Sequence, residues 1–229
     1  MELTPLLIVG GIVVVIAIAI FSYLAAKKRR ETMAAWASAN GLTFSRAKDY
    51  SFDNRFDEFD CLKKGSRRYA FNIMEGDYHD RPLLAFDYHY ETYSTDSKGR
   101  RRTNHHYFSA VVVRSELPLK PLTMRKEGFF DKVSGLFGFD DIDFESAEFS
   151  KEFHVKAPDR KWAYDVLHAR AIQFLLAQPR FSIEMYGQEV IAWRGGRFDP
   201  EEFEQAVAVV EGLLDQLPEY VKRELADSA

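Results

Sequence analysis

The first pattern along the chain is a charge-free apolar run, Leu6 to Ala26 (LLIVGGIVVVIAIAIFSYLAA), closed by the basic cluster Lys27-Lys28-Arg29-Arg30. A helix of that length rises roughly 30 Å, the hydrocarbon thickness of a bilayer. The run is long for a cleaved leader. Glu2 is the one charged side chain before it, and Tyr23 and Leu24 are bulky where a cleavage site needs small residues. A buried core helix would show a polar face. A retained membrane anchor is therefore expected, touching the lipid bilayer through this helix. Lys27, Lys28, Arg29 and Arg30 flank one end only, so they are expected on the cytoplasmic side of the inner membrane, with the N-terminus outside. Glu31 to Asn40 continues as helix until Gly41, and Trp36 is expected to pack on the domain that follows.

From Leu42 the period shortens to two. Leu42 to Phe44 reads as a short strand, and the polar stretch Asp49 to Asp57 carries no period. Arg67 to Met74 alternates, with Tyr69, Phe71 and Ile73 on one side and Arg68, Ala70, Asn72 and Met74 on the other. Leu83 to Tyr93 sets Leu84, Phe86, Tyr88 and Tyr90 against Asp87, His89 and Glu91. After a polar loop, Ser94 to Asn104, a third strand runs from His105 to Arg114. Three strands joined by turn signals predict an antiparallel meander, which Pro118 and Pro121 are expected to break. Phe129 to Phe139 then reads as a short amphipathic helix, Ile142–Phe144 and Ser150–Val155 as strands, and Pro158 as the opening of a helix to about Ala177. Arg180 to Met185 and Glu189 to Trp193 predict a hairpin around Tyr186-Gly187-Gln188. The clearest local signal is Asp199-Pro200-Glu201-Glu202, an N-cap, a first-turn proline and a glutamate three after the cap, opening a helix to about Leu217.

The expected fold class is α+β: an N-terminal transmembrane helix, then one mostly antiparallel sheet domain with packed helices. About 200 residues follow the anchor, enough for one well-cored domain. Residues 1–30 form the anchor with its basic cytoplasmic flank, and residues 31–229 the cytoplasmic domain. Nineteen Phe and eleven Tyr supply a large core. A net charge of −4 argues against a nucleic-acid binder driven by phosphate contacts. Cys61 is the single cysteine, which excludes an internal disulfide and a multi-cysteine zinc site and leaves a structural role as the expectation.

Catalytic signatures are missing: no Gly-x-Ser-x-Gly, no phosphate-binding glycine loop, no dinucleotide fingerprint. The acidic run Asp140 to Glu145 fails the calcium-loop template at its sixth and twelfth positions, Glu145 and Lys151. The loop Lys98 to Arg102 reads as solvated, with contact to anionic headgroups as the sharper reading. His79, His89, His105 and His106 all fall in the three-strand region. Neighbouring strands could bring His89 to His105 or His106, and with Asp87 or Glu91 they could bind a divalent metal. Asp87, His89 and Glu91 are more simply solvated residues on a polar sheet face. The expectation is thus a membrane-tethered binding or scaffold domain with no catalytic residue, cofactor or metal and an unidentified protein partner. Its rival is a metal-dependent enzyme using His89, His105 and nearby carboxylates.

The anchor with its basic cluster, then AAWASANGLTF, YAFNIMEG, LLAFDYHYETY and the block GFDDIDFESAEFSKEFHVKAPDRKWAYDVLHARAIQFLL, together resemble a family of uncharacterised bacterial single-pass membrane proteins with a cytoplasmic α+β domain. The resemblance spans nearly the whole chain. It implies one intact domain and a membrane location, and it brings no activity, substrate or site residue.

Overall fold

The computed structural model describes residues 3–126 and 141–227. Its first element, α1 (Leu3–Ala39), is one unbroken helix of 37 residues. Side chains from Ile12 to Leu24 stand exposed on every side, and the helix is long and apolar enough to cross a membrane. The last turns of α1 behave differently. Met33 and Ala37 are fully buried, and the Trp36 indole donates to Glu204 Oε1 at 2.6 Å while its ring lies near Tyr78 and Phe203. One helix thus serves two solvents, apolar all round at its start and amphipathic where it meets protein. Gly41, at φ 72°, turns the chain away from it.

Among the described residues, the domain is built on a six-stranded antiparallel sheet. In chain order, β1 (Thr43–Ser45) leads to the short helix α2 (Phe52–Arg55) and then to β2 (Ser66–Tyr78), β3 (Arg81–Thr95) and β4 (Arg101–Lys126). After α3 (Ala147–Glu152) come β5 (Phe153–Lys156), α4 (Arg160–Val166), α5 (Ala169–Ala177), β6 (Ser182–Gly195), α6 (Pro200–Asp215) and α7 (Glu219–Ala226). The sheet order is β1-β2-β3-β4-β5, with β6 also paired to β4. The α+β fold and the β2-β3-β4 meander agree with the sequence pattern.

Alternation along the strands feeds two cores. Leu83, Ala85, Val111, Val113, Val190 and Ala192 face the helices, where Trp162, Leu175, Phe203, Val207, Val210 and Leu213 meet them with Met33 and Ala37 of α1. Leu84, Phe86, Tyr88, Phe108, Ala110, Val112, Ile191 and Trp193 face the other way. That second face is closed by Phe52 and Phe56, from the stretch Asp49 to Asp57 that showed no period, and by Phe59, Cys61 and Leu62 just after it. Cys61 is a buried free thiol, and burial pushes its pKa well up, which suits a packing role.

Several expected elements are corrected. Pro118 and Pro121 do not break the sheet: β4 runs through them for 26 residues, with register shifts against β6 at Leu119. Proline is tolerated at such an irregularity, where no ladder bond needs its missing N–H. Arg180 to Trp193 is no hairpin. β6 is one continuous strand on β4, and Gly187, at φ 54°, sits within it opposite Leu119. Ile142–Phe144 is irregular chain, and Ser150–Glu152 belongs to α3. The helix expected from Pro158 to Ala177 is two, N-capped by Asp159 and His168. Met74 does not share a face with Ala70. A register shift between Phe71 and Met74, with Asn72 at φ 50°, turns Met74 to the helix side and leaves Ala70 on the aromatic side. The expected helix Phe129 to Phe139 lies outside the described residues.

The N-terminus of α6 matches its expectation. Asp199 accepts from the Glu202 N–H at 2.9 Å, and the Glu202 carboxylate accepts from the Asp199 N–H at 3.0 Å. Phe198 before the cap packs edge-on against Phe203, a hydrophobic staple that fixes the entry of the chain.

Candidate functional site

Asp87, His89 and Glu91 project from β3 on its helix-facing side, but they are not solvated. Asp87 is fully buried, and His89 and Glu91 nearly so. Their cross-strand partners on β4 are Ser109, Tyr107 and His105. The three pairs form a polar seam that continues from the apolar core toward the β3-β4 hairpin, and its two ends differ in construction.

At the core end, Asp87 is saturated. Arg29 of α1 grips it through both terminal nitrogens at 2.7 and 2.9 Å, Asn72 Nδ2 donates at 2.8 Å, and Ser109 Oγ donates at 2.5 Å. Four donors fill the lone-pair sites of a carboxylate. The ring closes through Phe198, whose N–H donates to Ser109 Oγ at 2.9 Å and whose carbonyl accepts from Arg29 Nε at 2.9 Å. The planar, permanently charged guanidinium is suited to this bidentate grip. Among the four basic residues after the apolar run, Arg29 is thus folded into the domain. Lys27 and Lys28 are exposed, with Lys27 paired to Glu31, and Arg30 is half-buried. The sequence reading missed Ser109 and Asn72 here. The available signal was Asp87 itself, an acid set between Phe86 and Tyr88 in mid-strand, which demands partners.

At the hairpin end the seam opens. His89 Nε2 lies 3.1 Å from His105 Nδ1, and His105 Nδ1 lies 3.6 Å from Glu91 Oε1. His89 Nδ1 faces the Arg67 carbonyl at 3.3 Å. That oxygen can only accept, so Nδ1 carries the proton and Nε2 turns its lone pair toward His105. Burial holds the His89 imidazole below its ordinary pKa, which favours this neutral form. Tyr69 and Tyr107 close over its ring, and Glu91 takes a hydrogen bond from Tyr93 and an ion pair from Arg67. The three candidate ligand atoms of His89, Glu91 and His105 lie within 4.8 Å of one another, at the floor of a cleft of about 480 Å³. The structure thus brings together the His89, His105 and carboxylate that the rival, metal-dependent reading named. His106 points to the opposite face, with Thr92 and Tyr90, and Asp87 is spent on Arg29.

The fold and the seam define a class: an α+β domain carried on an apolar helix whose foot is locked into the sheet. No protein-family model matches the chain, and no curated protein sequence matches it. Among solved structures, the crystal structure of the mycobacterial trehalose monomycolate transport factor A, TtfA, is similar, with a TM-score of 0.62 over 83% of this chain and 96% of that one. At 10% identity the likeness is one of fold.

Proposed function

We propose that the chain is a single-pass inner-membrane protein with its N-terminus outside and residues 31–229 in the cytoplasm, where the domain acts as a non-catalytic binding or scaffold module for a protein partner. The observation that carries this reading is the continuity of α1. The helix passes from its apolar span into the domain core without a break, and the Arg29–Asp87 pair fixes it there. A domain joined through a flexible linker could sample many orientations. This one holds a set orientation to the bilayer, which serves a module that must meet a partner in the same membrane. The fold shared with a transport factor supports an accessory role in a membrane transport assembly.

Two experiments test the reading. The full-length protein, recovered from detergent-solubilised membranes, is expected to retain a protein that residues 1–30 alone do not, and an empty eluate would remove the adaptor role. Topology is read with Ser97→Cys in the exposed β3-β4 turn, since Cys61 is buried and silent. An impermeant maleimide should label it only after permeabilisation.

A second reading is favoured by the convergence of His89, Glu91 and His105. Two imidazoles and a carboxylate suit a zinc-like ion with an open position toward the cleft. In that case the protein would be a metal-dependent enzyme, the ion supplying Lewis acidity. Elemental analysis after chelator washing decides: stoichiometric metal in the wild type, lost in His89→Ala, supports it, and metal-free protein ends it.

A further inference from the structure

Beside the foot of the anchor lies a second, smaller pocket of about 230 Å³, into which four arginines converge: Arg29 and Arg30 of α1, Arg46 just after β1, and Arg197 before α6. They come from three separate parts of the chain, so the convergence belongs to the fold. Arg29 is neutralised by Asp87. Among the described residues, no ion pair joins Arg30, Arg46 or Arg197, and no carboxylate lines the pocket. The Arg197 guanidinium lies 4.5 Å from the centre of the Tyr107 ring and 5.5 Å from that of Phe71, which holds it in place while leaving its charge unopposed. Like charges gathered without a counter-ion point to an anion from outside the chain.

The position names the anion. Ala26, the last residue of the apolar run, forms part of the pocket wall, and Lys27 follows it. On the membrane-anchor reading, on which this inference rests, that level is the boundary between hydrocarbon and headgroups. The volume is below the roughly 300–1,000 Å³ of pockets that enclose a whole small ligand. It suits a head group whose acyl chains remain in the bilayer. We propose that this pocket binds the phosphate of an anionic phospholipid of the leaflet facing the domain. Arg30, Arg46 and Arg197 supply the charge, and Arg29, held by Asp87, fixes the wall. Guanidinium groups match phosphate oxygens in bidentate geometry, and basic pockets at this depth recognise anionic head groups.

The test uses full-length protein in detergent micelles doped with phosphatidylglycerol or phosphatidylcholine, with bound lipid counted by native mass spectrometry. Wild type should retain phosphatidylglycerol over phosphatidylcholine. Arg46→Gln with Arg197→Gln should lower that retention roughly thirtyfold, with the thermal midpoint lowered only slightly, because both side chains are exposed and only the ring contacts of Arg197 are lost. Arg101→Gln with Arg102→Gln removes the same charge from the far hairpin and should leave retention intact. Millimolar inorganic phosphate should not compete. Equal retention of the two lipids, an unaffected double variant, loss in the hairpin variant instead, or displacement by inorganic phosphate would each overturn the proposal. Insertion into phosphatidylcholine nanodiscs is scored separately. Wild type that inserts without lipid preference defeats the pocket alone, whereas wild type that does not insert defeats the anchor and the pocket together.

Discussion

Asp87 and the His89–Glu91–His105 group sit one pleat apart on the same face of the sheet, and they have opposite characters. Asp87 has every acceptor site filled and a permanent cation against it. Two residues on, the imidazoles share one contact with each other, Glu91 is met by a mostly exposed Arg67, and His105 is itself 55% exposed. The strand pattern does not distinguish these positions, since all three are polar residues alternating with aromatics. What separates them is an element from outside the sheet. Arg29 arrives on α1 and Phe198 on the approach to α6, and together they seal the first station and leave the second open. A sealed carboxylate positions the anchor, and an open group can take a ligand.

The largest expected effect comes from breaking the sealed end. Asp87→Ala leaves Arg29, Asn72 and Ser109 without their acceptor inside the protein, and should cost about 3–5 kcal/mol, as removal of one member of a buried pair does. Arg29→Ala should cost a similar amount, and the double variant much less than the sum, because the two act as one unit. Urea unfolding of the full-length protein in detergent reads all three. Single costs below about 1 kcal/mol would mean that Asp87 is not the lock.

A carboxylate with half a partner sharpens the comparison. Glu184 is buried on β6, where Arg125 lies 3.8 Å from it and 3.1 Å from the competing Asp60. One guanidinium serves two acids, and burial raises the Glu184 pKa above its ordinary 4.5 against the pull of Arg125. In the interval above 4.5 the folded protein holds a proton that the unfolded chain has released. Stability therefore falls as pH rises through that interval. Glu184→Gln keeps an acceptor for the Asp60 N–H, now bound at 2.7 Å, and removes the ionisation. Unfolding measured across the acid range should lose that part of its slope, and an unchanged slope would assign it to another group.

A smaller effect is expected where the lock meets α6. Asp199→Ala removes the cap and should cost about 1 kcal/mol. Because the Phe198 carbonyl precedes that cap and accepts from Arg29, some of the loss should disappear in an Arg29→Ala background. Strict additivity would show the cap and the lock to be independent.

How legible these features were follows from their range. The cap is four adjacent residues whose chemistry is local, and Asp199 to Glu202 stated it fully. The alternation of β3 was also legible, as far as which residues share a face, though not that the face of Asp87, His89 and Glu91 is buried. The lock was not, because Arg29 and Asp87 are 58 positions apart and Arg29 reads equally well as a membrane flank. Irregular strands hid for a related reason. Pro118, Pro121 and Gly187 are breakers by propensity, yet β4 and β6 are long enough to absorb register shifts and keep pairing beyond them. Asn72 shows the same limit within one strand, where a single inserted residue sends Met74 to the opposite core. Phe52 and Phe56 close the second face from a stretch with no repeating period, so their role exists only once that face does.

The smallest expected effect is the most discriminating. His105→Ala touches a half-exposed side chain whose partners keep other contacts, so metal-free stability should change by no more than about 0.5 kcal/mol. An open station is defined by that indifference: its residues are not needed to hold the fold. The same variant acquires a larger effect if an ion binds, because a ligand that binds only the folded state raises the unfolding midpoint, and does so further as its concentration exceeds its dissociation constant. Thermal unfolding with and without added zinc therefore separates the cases. A midpoint that rises for wild type and not for His105→Ala makes the open end of the seam a metal site. A midpoint indifferent to zinc in both leaves the cleft to another ligand. A large loss in His105→Ala without metal would show that the second station is as structural as the first, and the contrast along β3 would be gone.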